Sequence, residues 1–178
     1  MSTLDLPVTL RPMQEHDFPM LHYWLNLPHV VEWWGGERPT LEAIREKFLP
    51  RVRGRASVKP YVALLGDHPF GFAQSYVAKG SGDGWWEDEA DPGVHGIDQT
   101  IGDPHLLGKG LGTRLVGALT ARLFDDPTVT KIQVDPATTN ARAIRCYEKA
   151  GFERVKVVVT PDGPAMYMLK ARPVIARS

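Results

Sequence analysis

The most constraining feature of the chain is a glycine-rich loop that leads directly into an amphipathic helix. This glycine loop reads Leu-Gly-Lys-Gly-Leu-Gly over residues 107–112. Glycine accepts positive φ angles and lets backbone N–H groups approach a ligand closely. Leucines spaced four apart on one helical face predict a helix that begins at the loop: Leu111, Leu115, Leu119 and Leu123. Backbone N–H groups at a helix N-terminus form a concave site that suits a diphosphate.

Two common phosphate-binding motifs do not fit this glycine loop. A Walker loop needs a glycine five positions before its Gly-Lys pair and Ser or Thr after it, but Asp103 and Gly110 occupy those positions. A dinucleotide fingerprint that starts at Gly108 needs its third glycine where Thr113 stands. For the loop considered alone, a glycine-rich turn that only begins a helix is an open alternative.

The spacing of the glycine loop resembles the pyrophosphate loop of the GCN5-related N-acetyltransferases, which hold acetyl-CoA. That family's consensus opens with Gln or Arg, and this chain has Leu107 there. The departure removes one side-chain contact and leaves the backbone cradle. The resemblance implies the family's fold, a mixed and mostly antiparallel seven-stranded sheet of the α/β (α+β) class with helices on both faces.

Hydrophobic periodicity along the chain predicts a compatible order of elements. Strands are predicted at 8–11, 61–65, 70–77, 94–101, 131–134, 152–159 and 165–169, and helices around 20–25, 41–49, 111–123 and 139–150. Asp17 and Thr40 precede the first two helices and are predicted as their N-caps. This mixed order indicates a largely antiparallel sheet covered on both faces by helices.

A second constellation lies in residues 135–152, DPATTNARAIRCYEKAGF. It resembles the acetyltransferase motif N-x-x-A-x-x-x-Y-x-x-x-G-F. Asn140 and Tyr147 are two helical turns apart, so they share a face and lie about 10 Å apart along the axis. Asn140 can then meet the pantetheine arm while Tyr147 acts as general acid for the departing thiolate. Taken alone, Tyr147 could equally be a core residue with its hydroxyl at the edge.

The acceptor side carries a local negative charge. Seven acidic residues and no Lys or Arg lie between residues 80 and 108: Asp83, Glu87, Asp88, Glu89, Asp91, Asp98 and Asp103. The run 87–91 is typical of a solvated face, whereas Asp83 and Asp98 stand among glycines and apolar residues. Asp135 and Asp162 stand at predicted strand ends. Carboxylates around one cleft would recognise a polycationic acceptor.

Tryptophans in polar loops add flat surfaces to this acceptor side. Trp33-Trp34 and Trp85-Trp86 both occur next to glycines, and such faces pack sugar rings and attract ammonium groups.

Five segments of the chain resemble the bacterial aminoglycoside 6'-N-acetyltransferases, those of type Ib in particular. They are VEWWGGERPTL, QSYVAKGSGDGWWEDEADPGVHGIDQ, LGKGLGT, RAIRCYEKAGFERV and TPDGPAMYM. The resemblance spans residues 8–168.

This closer resemblance implies acetylation of the 6'-amine of kanamycin-, tobramycin- or amikacin-like drugs, and therefore resistance to them. Asp98 would be the base or orienter for that amine. The residues implied for the drug's amino groups and the pocket lining are Asp83, Asp98, Asp135, Asp162, Trp34 and Trp86. The residues implied for acetyl-CoA are Gln99, Thr100, Ile101, Leu107, Gly108, Lys109, Gly110, Leu111, Gly112, Thr113 and Asn140.

The implied mechanism is direct transfer in a ternary complex. The strand from Gln99 to Ile101 would pair with the pantetheine arm. Asp98, directly or through a water, would take the proton of the amine, and a backbone N–H near Gln99 would stabilise the oxyanion. Tyr147 would protonate the sulfur.

Composition limits the other possibilities. The 178 residues are predicted to form one domain, 1–178. Lys plus Arg equals Asp plus Glu at 21 each, which favours neither a nucleic acid nor a membrane partner. The single cysteine, Cys146, excludes an internal disulfide. With no predicted signal peptide, membrane span or histidine-based metal site, we expect a cytoplasmic protein without a metal, either a monomer or a weak dimer.

The sequence leaves two alternative functions open. One is an acetyltransferase of the same fold that acts on another amine, such as a siderophore hydroxylysine or a protein N-terminus, since function is set by the acceptor site. The other is a non-enzymatic module that binds acyl-CoA. The second alternative predicts that the acid and base residues are replaced by others, whereas Asp98 and Tyr147 are both present.

Overall fold

The computed structural model describes residues 2–174, so residue 1 and residues 175–178 of the predicted domain lie outside the described part. Its strands and α-helices, in chain order, are β1 (Val8–Pro12), α1 (Phe18–Leu25), α2 (Pro28–Val31), α3 (Leu41–Val52), β2 (Lys59–Leu65), β3 (His68–Val77), β4 (Val94–Ile101), α4 (Leu111–Phe124), β5 (Lys131–Val134), α5 (Ala141–Lys149), β6 (Glu153–Thr160) and β7 (Gly163–Ala171). None of these helices is both long and apolar enough to cross a membrane.

The strands form one seven-stranded sheet in the order β1-β2-β3-β4-β5-β7-β6. Every neighbouring pair is antiparallel except β4 and β5, which run parallel. The parallel pairing covers only Val94–Gly96 against Lys131–Gln133. From Ile97 to Ile101, β4 pairs with β3 alone among the described residues. The mixed, mostly antiparallel seven-stranded sheet is therefore confirmed, and it is split where β4 runs on beyond β5.

Helices cover both faces of the sheet. On β2, Tyr61, Ala63 and Leu65 belong to a core cluster with the leucines of α4, while Val62 belongs to a second cluster with buried residues of α1 and α3. Successive strand residues point to opposite faces, so α4 and α1 lie on opposite sides of the sheet. Full burial of one leucine contributes about 2 kcal/mol, and three of the four predicted α4 leucines are fully buried.

Local chemistry explains where the helices begin and end. Thr40 caps α3 as predicted, because its hydroxyl oxygen accepts a hydrogen bond of 3.1 Å from the Ala43 N–H. The last helix begins at Ala141 and not at residue 139, since the Asn140 side chain accepts from the Ala143 N–H at 3.1 Å and makes Asn140 the N-cap.

Asp17 stands at the N-cap position of α1, but its side chain makes no bond to that helix. The predicted N-cap position is therefore confirmed, but the side chain does not cap the helix. Its two oxygens accept a bidentate pair from Arg11 at 2.7 Å each, and one of them also accepts from the Gln14 N–H at 2.8 Å. The Asp17 side chain is only 3% exposed. It therefore joins the end of β1 to the start of α1 as a buried carboxylate with a charged partner.

Replacing Asp17 by asparagine should lower the free energy of unfolding by about 2 kcal/mol, the usual loss for a hydrogen bond to a charged group. Burial works to raise the pKa of the Asp17 carboxyl, but the hydrogen bonds from Arg11 and Gln14 and the Arg11 charge leave that pKa below its ordinary value. The stabilisation is present above the unfolded-state pKa of about 3.9 and disappears as pH falls through the lower folded-state pKa.

Urea denaturation at neutral pH and in acid measures this effect. Glu15→Gln is the matched control, because the ion pair between Glu15 and Arg53 is exposed, with side chains 43% and 48% accessible. We expect less than about 1 kcal/mol from that control. Equal losses in the two variants would contradict the role given to Asp17.

Candidate active site

A cleft of about 980 Å³ opens where β4 leaves β5. One wall consists of β4 residues 97–101, and the end of β5 contributes Asp135. The start of α4 and one face of α5 line the cleft as well. The split in the sheet therefore creates a space that reaches both the glycine loop and the acidic residues.

The glycine loop has the backbone geometry of an anion site. Gly108 and Gly110 have φ angles of 71° and 74°, which only glycine adopts readily. Gly110 is the N-cap of α4 and supplies no capping side chain, so the first N–H groups of the helix are available to a ligand. Among the described residues, a Cβ at Gly110 would meet nothing within 4 Å, so there is open space beside the loop at this position. This arrangement fits the diphosphate of a coenzyme.

Most predicted cofactor residues of the loop line the cleft. These are Leu107, Gly108, Gly110, Leu111, Gly112 and Thr113. Lys109 is exposed and is not among the lining residues. Arg142 of α5 also lines the cleft, and its guanidinium lies 3.6 Å from the place where a Cβ on Gly108 would stand. Arg142 therefore adds a cation beside the loop, which sequence reasoning missed.

The free side of β4 fits an extended ligand with amide groups. Gln99, Thr100 and Ile101 line the cleft, and the sheet described for residues 2–174 pairs this part of β4 with β3 alone. The Gln99 Oε1 atom is buried without a hydrogen-bond partner among those residues. A buried oxygen of this kind favours a ligand N–H as its partner.

Asn140 and Tyr147 both line the cleft, as their spacing predicted. Because Asn140 Oδ1 caps α5, the amide N–H₂ of Asn140 is the part left for a ligand. Tyr147 is 6% exposed and packs edge-on against Phe152, with ring centroids 5.5 Å apart. Burial, with the nearby Asp98 charge, raises the pKa of the Tyr147 hydroxyl well above its ordinary value. The hydroxyl is therefore protonated at neutral pH, as a general acid must be.

Three carboxylates meet in the cleft: Asp98, Asp135 and Asp162. Burial, together with the charges of Asp98 and Asp162, raises the pKa of Asp135 to about 8. Burial also raises the pKa of Asp98. Neighbouring carboxylates repel one another when all of them are ionised, and a cationic partner between them offsets that repulsion. Asp83 does not line the cleft; it is exposed, with a φ angle of 54°.

Aromatic side chains face the same cleft. Trp34 lines it and packs edge-on against Phe72 at 5.3 Å. Trp86 also lines it, stacks at a tilt on Tyr167 at 5.5 Å and donates its indole N–H to the Tyr76 hydroxyl oxygen at 3.1 Å. Both predicted tryptophans are therefore anchored by other aromatic residues, which suits a rigid surface for a sugar ring.

Sequence reasoning missed four further polar residues around the carboxylates: Lys47 and Arg51 on α3, and Gln74 and Tyr76 on β3. Gln74 and Tyr76 alternate on β3, so a shared face was readable from their spacing. A Cβ at Gly96 would overlap the Tyr76 ring, so this glycine of β4 makes room for the tyrosine. Within residues 2–174, no group of three or more His, Cys, Asp or Glu side chains is arranged to hold a metal ion.

Comparisons with known proteins agree with this geometry. The family model described as acetyltransferase (GNAT) domain matches residues 13–160. Aminoglycoside N(6')-acetyltransferase type 1 of Klebsiella pneumoniae is 62% identical over 173 residues, or 96% of this chain and 86% of that protein. A structure of AAC(6')-Ib with paromomycin and acetyl-CoA is 63% identical, covers 93% of this chain and 94% of its own, and has a TM-score of 0.90. A structure of AAC(6')-Ib with coenzyme A and kanamycin is 62% identical, covers 93% of this chain and 95% of its own, and has a TM-score of 0.89.

Proposed function

Since the chain belongs to the acetyltransferase (GNAT) domain family and, within it, to the aminoglycoside 6'-N-acetyltransferases, we propose that it acetylates the 6'-amine of kanamycin-, tobramycin- and amikacin-like aminoglycosides. Acetyl-CoA is the acetyl donor, and the result is resistance to these drugs. The observation that carries the proposal is the meeting of Asp98, Asp135 and Asp162 in the cleft that also contains the helix N-terminus at the glycine loop.

The chain's own groups would hold the coenzyme along the cleft. The N–H groups of residues 108–113 would hold the diphosphate, with Arg142 beside them and the backbone of Leu107 and Lys109 completing the loop. The free side of β4 from Gln99 to Ile101 and the Asn140 amide hold the arm. When bound, acetyl-CoA supplies an activated acetyl group at the end of this arm.

Two proton positions in the cleft match the chemistry of amine acetylation. An aminoglycoside amine enters as an ammonium group and must lose a proton before it can attack. Asp98, directly or through a water, accepts that proton, while Tyr147 holds at its hydroxyl the proton that the thiolate needs. A backbone N–H near Gln99 would stabilise the oxyanion. The raised pKa of Tyr147 keeps its proton in place at neutral pH.

The remaining acceptor residues bind the drug. Asp135 and Asp162 accept hydrogen bonds from ammonium groups, and Trp34 and Trp86 face the sugar rings. Asp83 is not included among them, because it is exposed and does not line the cleft. A polycationic ligand is thus met by carboxylates on more than one side.

The protein acts as a single domain, 1–178, in the cytoplasm, as a monomer or weak dimer without nucleic-acid or membrane partners. The balance of 21 basic and 21 acidic residues and the single cysteine support this proposal.

The test is a thiol-release assay with acetyl-CoA and a pair of matched aminoglycosides, one with a 6'-amine and one with a 6'-hydroxyl. We expect release with the amine alone, and mass spectrometry of the product should show one acetyl group on the 6'-nitrogen. An expressing strain should grow on the 6'-amino drug and stop on the 6'-hydroxyl analogue. Equal release with lysine or with a peptide N-terminus would point to another amine as the acceptor.

A further inference from the structure

Arg51 stands behind the wall of the cleft and has no part in the mechanism described so far. Its side chain is half-buried, and its guanidinium carbon lies 4.9 Å from the centroid of the Phe48 ring. Phe48 is itself 3% exposed and belongs to the core between α3 and the sheet. Stacking on a fixed ring holds the guanidinium in one place. Lys47, one helical turn earlier, lines the cleft directly.

A chain of two hydrogen bonds joins Arg51 to Asp98. The Arg51 Nη1–H donates to Gln74 Oε1 at 2.9 Å, and Gln74 Nε2–H donates to Asp98 Oδ2 at 2.8 Å. A guanidinium can only donate and an ionised carboxylate can only accept, so the Gln74 amide between them has a single possible orientation. Arg51 therefore determines which end of the amide faces Asp98.

The orientation of the Gln74 amide affects the hydrogen bonding of Asp98. In residues 2–174 the side-chain hydrogen bonds of Asp98 involve Oδ2 alone. One oxygen is thus occupied by Gln74, while the other is left for a ligand in the cleft. Without Arg51 the amide could rotate and turn its oxygen toward the carboxylate, which removes a hydrogen bond and adds a repulsive contact.

We propose that Arg51 is a positioning residue for the acetyl transfer, which locks the Gln74 amide so that Asp98 presents one free oxygen to the acceptor amine. This inference rests on the proposed function, because it assigns Arg51 to the same reaction. Arg51 acts through Gln74 and does not itself line the cleft.

Several charged and titratable groups face Asp98 and set its protonation. They are Lys47 and Arg51 on α3, Tyr76 on β3, Asp135 at the end of β5, Asp162 in the β6–β7 turn and Tyr147 on α5. Burial raises the pKa of Asp98; the Gln74 hydrogen bond and the Arg51 and Lys47 charges lower it, and the Asp162 charge raises it. Loss of Arg51 removes a charge and weakens the Gln74 bond, and both changes raise the pKa of Asp98.

The experiment compares Arg51→Met with Lys47→Met and Arg51→Lys. Methionine keeps the length of the side chain and loses its charge and donors, and Lys47→Met removes a cation that also faces Asp98 but makes no hydrogen bond to Gln74 in the described residues. For Arg51→Met we expect the pH at which kcat/KM falls on acidification to rise by about one unit, so that kcat/KM is about tenfold lower than in the wild type at more acidic pH. At pH values above this fall in both proteins, kcat/KM should be the same. Lys47→Met should shift less, and Arg51→Lys should recover most of the activity, since its ammonium can still donate.

A second readout does not depend on activity. Titration of the Asp98 carboxyl carbon by NMR in the free protein should show a higher pKa in Arg51→Met than in Lys47→Met. A uniform loss at every pH, or an NMR titration that matches Lys47→Met, would overturn the positioning role and leave the proposed function standing. A wild-type protein that releases no thiol with the 6'-amino drug would overturn the proposed function, while the NMR titration would still decide whether Arg51 acts on Asp98.

Discussion

Replacing Asp98 by asparagine is expected to lower kcat/KM for a 6'-amino aminoglycoside by about a hundredfold or more, the usual contribution of a general base. Asparagine keeps the shape of the side chain and can still accept the hydrogen bond from Gln74. What it cannot do is take up the proton of the acceptor ammonium. The fall should therefore appear in the chemical step, and steady-state kinetics over a range of pH measures it.

The pH profile identifies the cause of that loss. Burial raises the pKa of Asp98, so the wild-type rate should fall on acidification at a higher pH than an ordinary aspartate would give. The Asp98→Asn variant should lack this limb. Asp162→Asn is the matched control, because Asp162 lines the exposed end of the same cleft. It should raise KM with a smaller change in kcat. An unchanged rate in Asp98→Asn would remove Asp98 from the role of base.

Replacing Tyr147 by phenylalanine should lower kcat by about a hundredfold, as expected when a general acid is lost. The change removes one buried hydroxyl and keeps the ring that packs on Phe152. Stability and acceptor affinity should therefore stay close to wild type. Stopped-flow measurement of thiol release, with acceptor binding measured by calorimetry, separates the two quantities.

A change of acetyl donor provides the sharpest test of the acid. An aryl thioester leaves as a stable thiolate and needs no proton, so the difference between wild type and Tyr147→Phe should nearly vanish with such a donor. A difference that persists with both donors, or a loss confined to acceptor affinity, would give Tyr147 a structural part and not a catalytic one.

Features with short-range signals were predicted well from the sequence. The bounds of β4 and β5 agree with the predicted 94–101 and 131–134, because each strand is a short stretch of mixed apolar and polar residues between turn-forming residues. The glycine loop and the Asn140–Tyr147 spacing are also local, and both segments line the cleft as predicted. Asp17 shows the limit of such signals, since Arg11 engages its carboxylate more strongly than the α1 N–H groups do.

The site residues that the sequence did not predict come together only when separate helices and strands pack against one another. Gln74 reaches Asp98 because the register of β3 against β4 places the two residues directly opposite one another, and a register is not visible in one strand alone. Arg51 reaches Gln74 only after α3 has packed on the sheet. Asp83 shows the reverse case: it belongs to a recognisable segment, yet the backbone around it turns it outward from the lining of the cleft.

The parting of β4 from β5 gives this sheet an edge inside the molecule. Open strand edges invite other chains to add a strand, and most proteins guard them with charges, prolines or short lengths. Here the open edge lies along the cleft, between the two halves of one sheet. A strand edge that would favour aggregation on an exposed surface therefore lies in a cleft, where its backbone groups can pair with an extended ligand.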